Sequence, residues 1–343
     1  MRKTLLAALF LALCLTGCKS SDYKDACLLQ DAQAYQAAAE NFENLGSYRD
    51  SAERAQLCRN ILTYQEAVAL QQDGAYDAAA EMFGQIPGYE DADARRALCQ
   101  SWAEALDAYD VAYAELTAKN AMLEEAISTG DAAAKAALPV LDDALYGALA
   151  EALTAARQAL EAPVESGETP KTTLAAARAM ERIDYGDMGQ AILDACAQID
   201  ASSQLYALVD APSDSRVMEC LVQVDGVLQC AAVTEATDSN NSLNKAGSYI
   251  GRIVFAHIGV SPSAMSESAL LSKGTDAGGS IEVFRDDGDA QKRDSYLAVF
   301  DGTILDPGSH VVVGTLVVRT SSKLTASQQQ ELQEAIIQAL LTP

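Results

Sequence analysis

Two stretches of the chain share the same order of apolar and polar positions. "YQAAAENFENLGSYRDSAERAQLC" begins at Tyr35 and "YDAAAEMFGQIPGYEDADARRALC" begins at Tyr76, an offset of 41 residues that holds throughout. The shared spacing Tyr-x-x-Ala-x-x-x-Phe places its three residues on one face of a helix. We therefore predict helical repeats over residues 18–100, with a core made of Tyr35, Ala38, Phe42, Tyr76, Ala79 and Phe83.

Residues 101–161 have the pattern of two packed helices. Apolar side chains step by three and four positions from Leu106 to Ile127, and "STGD" at 128–131 interrupts the run. A second leucine-rich stretch, broken near Pro139, follows. The pattern predicts an antiparallel helical hairpin.

The composition changes after this hairpin. "APVESGETPK" at 162–171 contains two prolines and one glycine and is the expected linker, and short helices are expected over 172–205. Residues 206–343 then become rich in Val, Ile, Gly and Ser. We expect a multidomain protein in which an all-α N-terminal region precedes a small α+β sandwich domain.

The last domain is predicted from alternating apolar positions and capping signals. "VMECLVQVDGVLQCAAVT" indicates a hairpin with its turn at Asp225-Gly226, and further strands are expected at 249–258, 280–284 and 310–321. "DAQKRDSYLAVF" predicts a helix, and Thr325 with Gln328 forms a capping-box signature for the last helix. We expect both helices on one face of a mostly antiparallel sheet.

The strand "HVVVGTLVVRTS" at 310–321 is apolar on both alternating faces, which is typical of a central strand covered on both sides. We expect it inside the sheet. Its second face needs a cover, for which a loop such as 259–279 is favoured over the helical region or a partner.

Two registers fit the hairpin at Asp225-Gly226. A two-residue turn places Cys220 opposite Ala231, whereas a three-residue loop places Cys220 opposite Cys230 and gathers the apolar residues on one face. We prefer the second register. It leaves two alternatives open, a disulfide between Cys220 and Cys230 or two reduced thiols that pack as small apolar residues. The helical cysteines, two of which recur with the repeat, are interpreted as packing residues.

The chain begins with a short basic end and an apolar run. Arg2 and Lys3 precede "LLAALFLALCL", which ends at Leu15 and is too short to span a bilayer. This arrangement is typical of a secretory signal rather than of a buried helix.

The run ends in "LTGC", Leu15 to Cys18, which resembles the lipobox of bacterial lipoproteins. The resemblance implies that residues 1–17 are a signal peptide, that Cys18 carries a diacylglyceryl group, and that cleavage leaves Cys18 first. Acyl chains on Cys18 would anchor the protein in the cell membrane, on its extracytoplasmic face.

The repeats resemble tetratricopeptide repeats, with Gly74, Tyr76, Ala79 and Phe83 at that family's small and aromatic positions. They depart from it in their longer period and in the second helix, where "LGSYRDS" and "IPGYEDA" stand. An extra short helix after each Tyr-x-Asp is the expected explanation, and "DYKDAC" at 22–27 is the expected remnant of an earlier copy.

The last domain contains several distinctive segments, among them "LNKAGSY" at 243–249, "KGTDAGGSIEVF" at 273–284 and "GSHVVVGTLVVRTS" at 308–321. In these segments it resembles a domain of unassigned function in lipoproteins of gut Gram-positive bacteria. The resemblance implies export and domain limits, and it implies no catalytic residue.

The net charge and the short motifs limit the classes of function that the chain can have. The chain has 24 basic and 49 acidic residues, a net charge of −25, which argues against nucleic acid as a partner. "GTDAGG" at 274–279 lacks the Lys-Ser/Thr of a phosphate loop, and "DDGD" at 286–289 lacks calcium-loop spacing and fits a helix N-cap better. Ser309 and His310 are neighbours in a strand and so point to opposite faces. No catalytic residue, metal site or cofactor is predicted.

Three functions remain. The favoured one is a non-enzymatic surface lipoprotein whose repeats and last domain bind a protein or peptide partner. The second is a solute- or glycan-binding lipoprotein, and the third is a cell-envelope hydrolase, for which no constellation of residues is visible.

Overall fold

The computed structural model describes residues 19–304 and 306–343. The chain forms two compact units, one from residues up to 120 with 161–184, the other from 121–160 with 185–343. This division differs from the segments expected from the sequence, because each unit takes part of the expected hairpin.

The helices that precede the first strand in the described chain are α1 Lys19–Asp31, α2 Tyr35–Leu45, α3 Ser51–Gln72, α4 Tyr76–Gly84, α5 Ala92–Ala136, α6 Ala144–Ala159, α7 Pro170–Glu181, α8 Gly186–Tyr206 and α9 Asp214–Leu221. The remaining elements are β1 Val227–Ala232, β2 Gly251–His257, α10 Glu267–Lys273, β3 Gly278–Val283, α11 Asp287–Ala298, β4 His310–Val313, β5 Leu316–Thr320 and α12 Ala326–Leu340. A helical N-terminal region followed by a small antiparallel sheet is confirmed. No helix of the described residues is long and apolar enough to cross a membrane.

The two repeats bury equivalent residues. Ala38 and Phe42 of α2 lie in a core with α1 and α3, while Ala79 and Phe83 of α4 lie in a core with α3 and α5. All four have no exposed surface. The first tyrosine of each copy is half-buried instead, and Tyr76 stacks on Trp102 with 5.4 Å between ring centroids.

A polar network, here called the tyrosine clamp, recurs with the repeat. In each copy a tyrosine hydroxyl donates to an aspartate at 2.6 Å, and an arginine bonds both that aspartate and a glutamine. The members are Tyr23, Gln30, Asp50 and Arg54 in the first copy and Tyr64, Gln71, Asp91 and Arg95 in the second. Tyr23 of α1 therefore takes the position that Tyr64 of α3 takes in the second copy, which agrees with the expected earlier copy at 22–27.

The extra short helix expected after each Tyr-x-Asp is wrong. Asp50 stands immediately before α3, and Asp91 immediately before α5. The long period arises because α3 itself has 22 residues.

The helix break expected at 128–131 is also wrong, since α5 continues to Ala136. A Cβ on Gly130 would lie 2.8 Å from side-chain atoms of Leu153 and Ile192. The glycine therefore permits close packing of α6 and α8 against α5 and does not end the helix.

The sheet has the order β1-β2-β3-β5-β4 and is antiparallel throughout. Helices α9 and α12 pack on one face over a core that includes Phe255, Ile281 and Val318. Helix α10 packs over β1 and β2 on the other face, and α11 packs over β4 and β5. The expectation of helices on one face is therefore wrong, and the segment 259–279 covers part of the second face as α10 and a 3₁₀ turn.

The hairpin predicted over "VMECLVQVDGVLQCAAVT" is wrong in its first half, which is helix α9. Ser213 caps this helix by accepting a hydrogen bond from the Arg216 amide. Val217, Cys220 and Leu221 then share one buried helical face. Cys220 thus lies on α9 and Cys230 on β1, so the cross-strand pairing on which a disulfide was based does not exist, and both thiols are free.

The single central strand predicted at 310–321 is wrong. The chain turns at Gly314 and Thr315, so β4 is an edge strand and β5 lies inside the sheet. Gly314 has φ +57°, and a Cβ there would lie 2.6 Å from Val209. The Thr315 amide and hydroxyl both donate to the Val209 carbonyl, which holds the turn in place.

Candidate anion-binding site

The second face of the sheet carries charged residues in the middle of three apolar strands. Arg252 of β2 is paired across the ladder with Glu282 of β3, and Arg319 of β5 lies diagonally from Glu282. Strand alternation sends these three side chains to the face opposite Ile281 and Val318. These three charged side chains therefore lie together on the second face of the sheet, beneath the helices that cover it.

Glu282 is completely buried and is held by two arginines. Arg293 of α11 makes a bidentate pair with it, with Nε to Oε2 at 2.6 Å and Nη2 to Oε1 at 2.9 Å. Arg319 Nη1 donates to Oε1 at 3.0 Å. Burial acts to raise the pKa of Glu282, but the hydrogen bonds and charges of the arginines outweigh it and lower the pKa. The carboxylate is therefore ionised.

Arg252 is only 5% exposed and is poorly satisfied. Its Nη1 is 3.6 Å from Asp238 Oδ1, and its Nε has no hydrogen-bond partner among the described residues. The Nε of Arg319, a residue that is 8% exposed, is likewise unpartnered there. An unsatisfied buried donor costs about 1–3 kcal/mol, so two in one place need an explanation.

Asp238 forms only a long ion pair with Arg252 because its oxygens accept four other hydrogen bonds. The donors are the amides of Asn240, Ser242 and Leu243 and the Tyr249 hydroxyl, at 3.2, 2.6, 2.8 and 2.7 Å. Burial acts to raise the pKa of Asp238, but these bonds lower it to about 2. The carboxylate stays ionised, and it orders the loop that leads into β2.

The charges of the cluster do not balance. Two guanidiniums and two carboxylates are buried, those of Arg252, Arg319, Glu282 and Asp238, and Arg293, whose side chain is 21% exposed, adds a third guanidinium. The cluster therefore carries one positive charge in excess in a protein whose overall charge is −25. Buried charges are costly unless they are paired and hydrogen-bonded.

These arginines line a cavity of about 820 Å³ in the second unit. This volume lies in the range of small-molecule pockets. The wall also contains hydroxyl and amide groups of Asn240, Ser248 and Thr275. The aromatic side of the cavity consists of Tyr249, Phe284, Tyr296 and Phe300. We call this space the arginine cavity.

The motifs singled out in the sequence have other roles. In "DDGD", Asp286 accepts a hydrogen bond from the Asp289 amide and caps α11, as expected. In "GTDAGG", Thr275 and Asp276 lie at the arginine cavity. Ser309 bonds Gln333, whereas His310 lies between Asp294 and Asp301, so the two do not form a nucleophile and base pair.

Cys18, the expected lipidation site, lies outside the described residues. Of the other predicted residues, the repeat core lies in the first unit, while Cys220 and Cys230 lie in the second. None of them lines the arginine cavity. Within residues 19–304 and 306–343, no group of three or more His, Cys, Asp or Glu side chains could hold a metal ion.

The sequence reasoning missed the cavity, although a signal was present. "YIGRIVF", "SIEVF" and "LVVRT" each place one charged residue inside an apolar strand. Charged residues are rarely buried unless they are paired, so three such strands predict a buried ionic cluster.

Comparison with known proteins returned no match, whether to a protein family, a curated protein or a solved structure. The function is therefore argued from the geometry of the site.

Proposed function

We propose that the chain is a lipid-anchored extracytoplasmic lipoprotein whose C-terminal domain binds a small anionic ligand in the arginine cavity. The observation that carries this proposal is the pair of buried arginines, Arg252 and Arg319, which line a cavity and whose Nε atoms have no hydrogen-bond partner among the described residues. A bound anion would neutralise the excess charge and could accept hydrogen bonds from these side chains.

Calorimetric titration of residues 19–343 with small anions tests the binding. We expect saturable binding that weakens as ionic strength rises, and an increase in the thermal midpoint with ligand concentration. Arg252→Gln should lose at least tenfold in affinity. Arg285→Gln removes an exposed charge from the same domain and should bind normally. If both variants bind the anion with the same affinity, the anion does not bind in the arginine cavity.

The anchor belongs to this proposal and rests on the motif "LTGC" at the end of the apolar run. Cys18→Ala should abolish lipidation, so the variant should leave the detergent phase in a phase-partition assay. Ser20→Ala is the matched control and should partition like the natural chain. Equal retention of the Cys18 variant would reject the lipoprotein assignment.

We further propose that the tetratricopeptide-like repeats bind a protein or peptide partner. Leu57 and Leu98 occupy equivalent positions in the two copies and are 40% and 45% exposed, so the same apolar residue recurs on the repeat surface. Helical repeats place the equivalent residue of each copy on a shared surface, and repeat proteins use such surfaces to bind partners. The double variant Leu57→Ser and Leu98→Ser should capture less of an envelope protein by chemical cross-linking, while its melting temperature stays the same. If the double variant and the natural chain cross-link to the same proteins in the same amounts, this role is contradicted.

A further inference from the structure

We infer that the arginine cavity takes a monocarboxylate attached to an apolar, preferably aromatic, group. This inference rests on the proposed anion site and specifies which anion the site prefers. Charge, donor arrangement and the aromatic wall each contribute to it.

The charge balance favours a single negative charge. The cluster of three guanidiniums and two carboxylates carries one positive charge in excess, which one anionic group neutralises. Outside the cluster, the wall has two further carboxylates, Asp276 and Asp306, and one ammonium, that of Lys292. Lys292 is paired with Asp289 at 2.8 Å, and Asp276 is paired with Lys323 at 3.0 Å. The second negative charge of a phosphate monoester, whose charge is about −1.5 to −2, would therefore face the Asp306 carboxylate rather than a further unpaired cation of the wall.

The donors suit a planar group with two oxygens. Arg252 and Arg319 stand on β2 and β5, which flank β3 on either side, so they approach the cavity from two directions. A carboxylate has two oxygens and about four acceptor positions, and guanidinium groups match its geometry. Glu282, between the two strands, shows the same preference within the fold, because it binds Arg293 and Arg319 together.

The aromatic side of the cavity favours an acid that carries an apolar group. Tyr296 is 57% exposed although it lines the cavity, and its ring lies 5.3 Å from that of Phe300 in an edge-on arrangement. Phe284 lies deeper and is buried. A ligand that places an apolar group against Tyr296 and Phe300 would bury this aromatic surface, which a bare anion would leave in water.

Two sources share this chemistry, a free aryl or alkyl acid and the C-terminal residue of a peptide. The cavity volume of about 820 Å³ accommodates either one. N-acetyl-Ala-Phe represents the peptide and 3-phenylpropionate the free acid. Whichever binds more tightly identifies the source, and tight binding of either supports the carboxylate inference.

Calorimetry on residues 19–343 decides the ligand class. We expect 3-phenylpropionate to bind at least tenfold more tightly than propionate, which lacks the ring, and than 3-phenylpropionamide, which lacks the charge. We also expect it to bind at least tenfold more tightly than methyl phosphate and diethyl phosphate. Tighter binding of either phosphate, or equal binding of the amide, overturns the inference and leaves the anion site standing when the Arg252 dependence holds. Absence of binding by every anion overturns the proposed function itself.

Two variants assign the preferences to side chains. Tyr296→Ala should lower the affinity for 3-phenylpropionate at least fivefold more than the affinity for propionate. The guanidinium of Arg293 lies 5.5 Å from the centre of this ring, and any effect through it is common to both acids, whereas only the phenyl group contacts the ring itself. Tyr113→Ala removes an exposed tyrosine of the helical region and is the matched control. Arg252→Lys, which keeps the charge but loses the planar fork, should weaken both acids equally. Circular dichroism checks the fold of each variant, and an unchanged phenyl preference in Tyr296→Ala would contradict the aromatic contact.

Discussion

The tyrosine clamp and the arginine cluster use the same side-chain types in opposite ways. Each clamp joins a tyrosine, an aspartate, an arginine and a glutamine at a partly exposed site, and the two copies agree within 0.1 Å in their key distances. The cluster of the last domain is buried except for Arg293, leaves two guanidinium Nε atoms unpartnered and has one more guanidinium than carboxylates. The repeated network is satisfied and joins neighbouring helices, whereas the second leaves donors unpartnered beside a cavity, which is the feature on which the proposed anion site rests.

The largest expected effect comes from removing the buried charge that holds the cluster. Glu282→Gln leaves Arg293 and Arg319 without a carboxylate inside the fold, and breaking such a buried pair costs about 3–5 kcal/mol. Urea unfolding of residues 19–343 measures the loss. Asp91→Asn in the second clamp is the control and should cost much less, because water compensates an exposed pair. Equal losses of unfolding free energy in the two variants would show that the cluster and the clamp do not differ in this respect.

The two repeats should respond alike when their core is truncated. Phe42→Ala and Phe83→Ala each remove a fully buried ring and should each cost about 3–5 kcal/mol. The comparison uses thermal and urea unfolding followed by helical circular dichroism. If the free energy of unfolding falls more than twice as much in one variant as in the other, the two copies do not contribute equally to stability.

Acid should weaken the last domain through Asp238. Its pKa is about 2 in the folded chain, against 3.8 for the free side chain. Because the folded pKa is depressed, the carboxylate contributes about 2 kcal/mol above pH 4, and this contribution is lost as the pH falls from about 4 to 2. Stability measured between pH 2 and pH 6 should therefore fall less steeply in Asp238→Asn. Identical profiles for the variant and the natural chain would mean that Asp238 is not the titrating group.

The smallest expected effect is the loss of a clamp hydroxyl. Tyr23→Phe and Tyr64→Phe keep both rings, which pack edge-on against Phe42 and Phe83, and remove only the donor to Asp50 or Asp91. Each should lower the thermal midpoint slightly and by the same amount, well below the effect of either phenylalanine variant. The double variant should show the sum of the two, since the clamps share no side chain. A large loss in one copy alone would show that the two clamps do not stabilise their copies equally.

Local patterns were read correctly where sequence spacing alone decides the structure. The offset between Tyr35 and Tyr76 identified the repeat, and Thr325 with Gln328 forms the capping box that starts α12. Such features depend on residues within one or two helical turns of each other, so the chain displays them directly.

The predictions were wrong where the same local pattern of residues is compatible with two different backbone structures. The apolar spacing of residues 214–221 suits a strand or a short helix, and the cap at Ser213 together with packing on α12 selects the helix. Gly130 permits a break or a close contact, and Leu153 and Ile192 show that it serves the contact. Gly314 turns the chain because Val209 occupies the space that a side chain would need.

The sequence by itself determined the helical repeat, the order of a helical region before an α and β domain, and the strongly acidic balance. These properties follow from periodicity and composition, which need no knowledge of distant contacts. Only the tertiary structure decided that Arg252, Glu282 and Arg319 meet on one face of the sheet and that the Nε atoms of the two arginines have no hydrogen-bond partner among the described residues. Whether a buried charge is satisfied depends on groups within about 3–4 Å of it, and those groups come from strands and helices far apart in the chain.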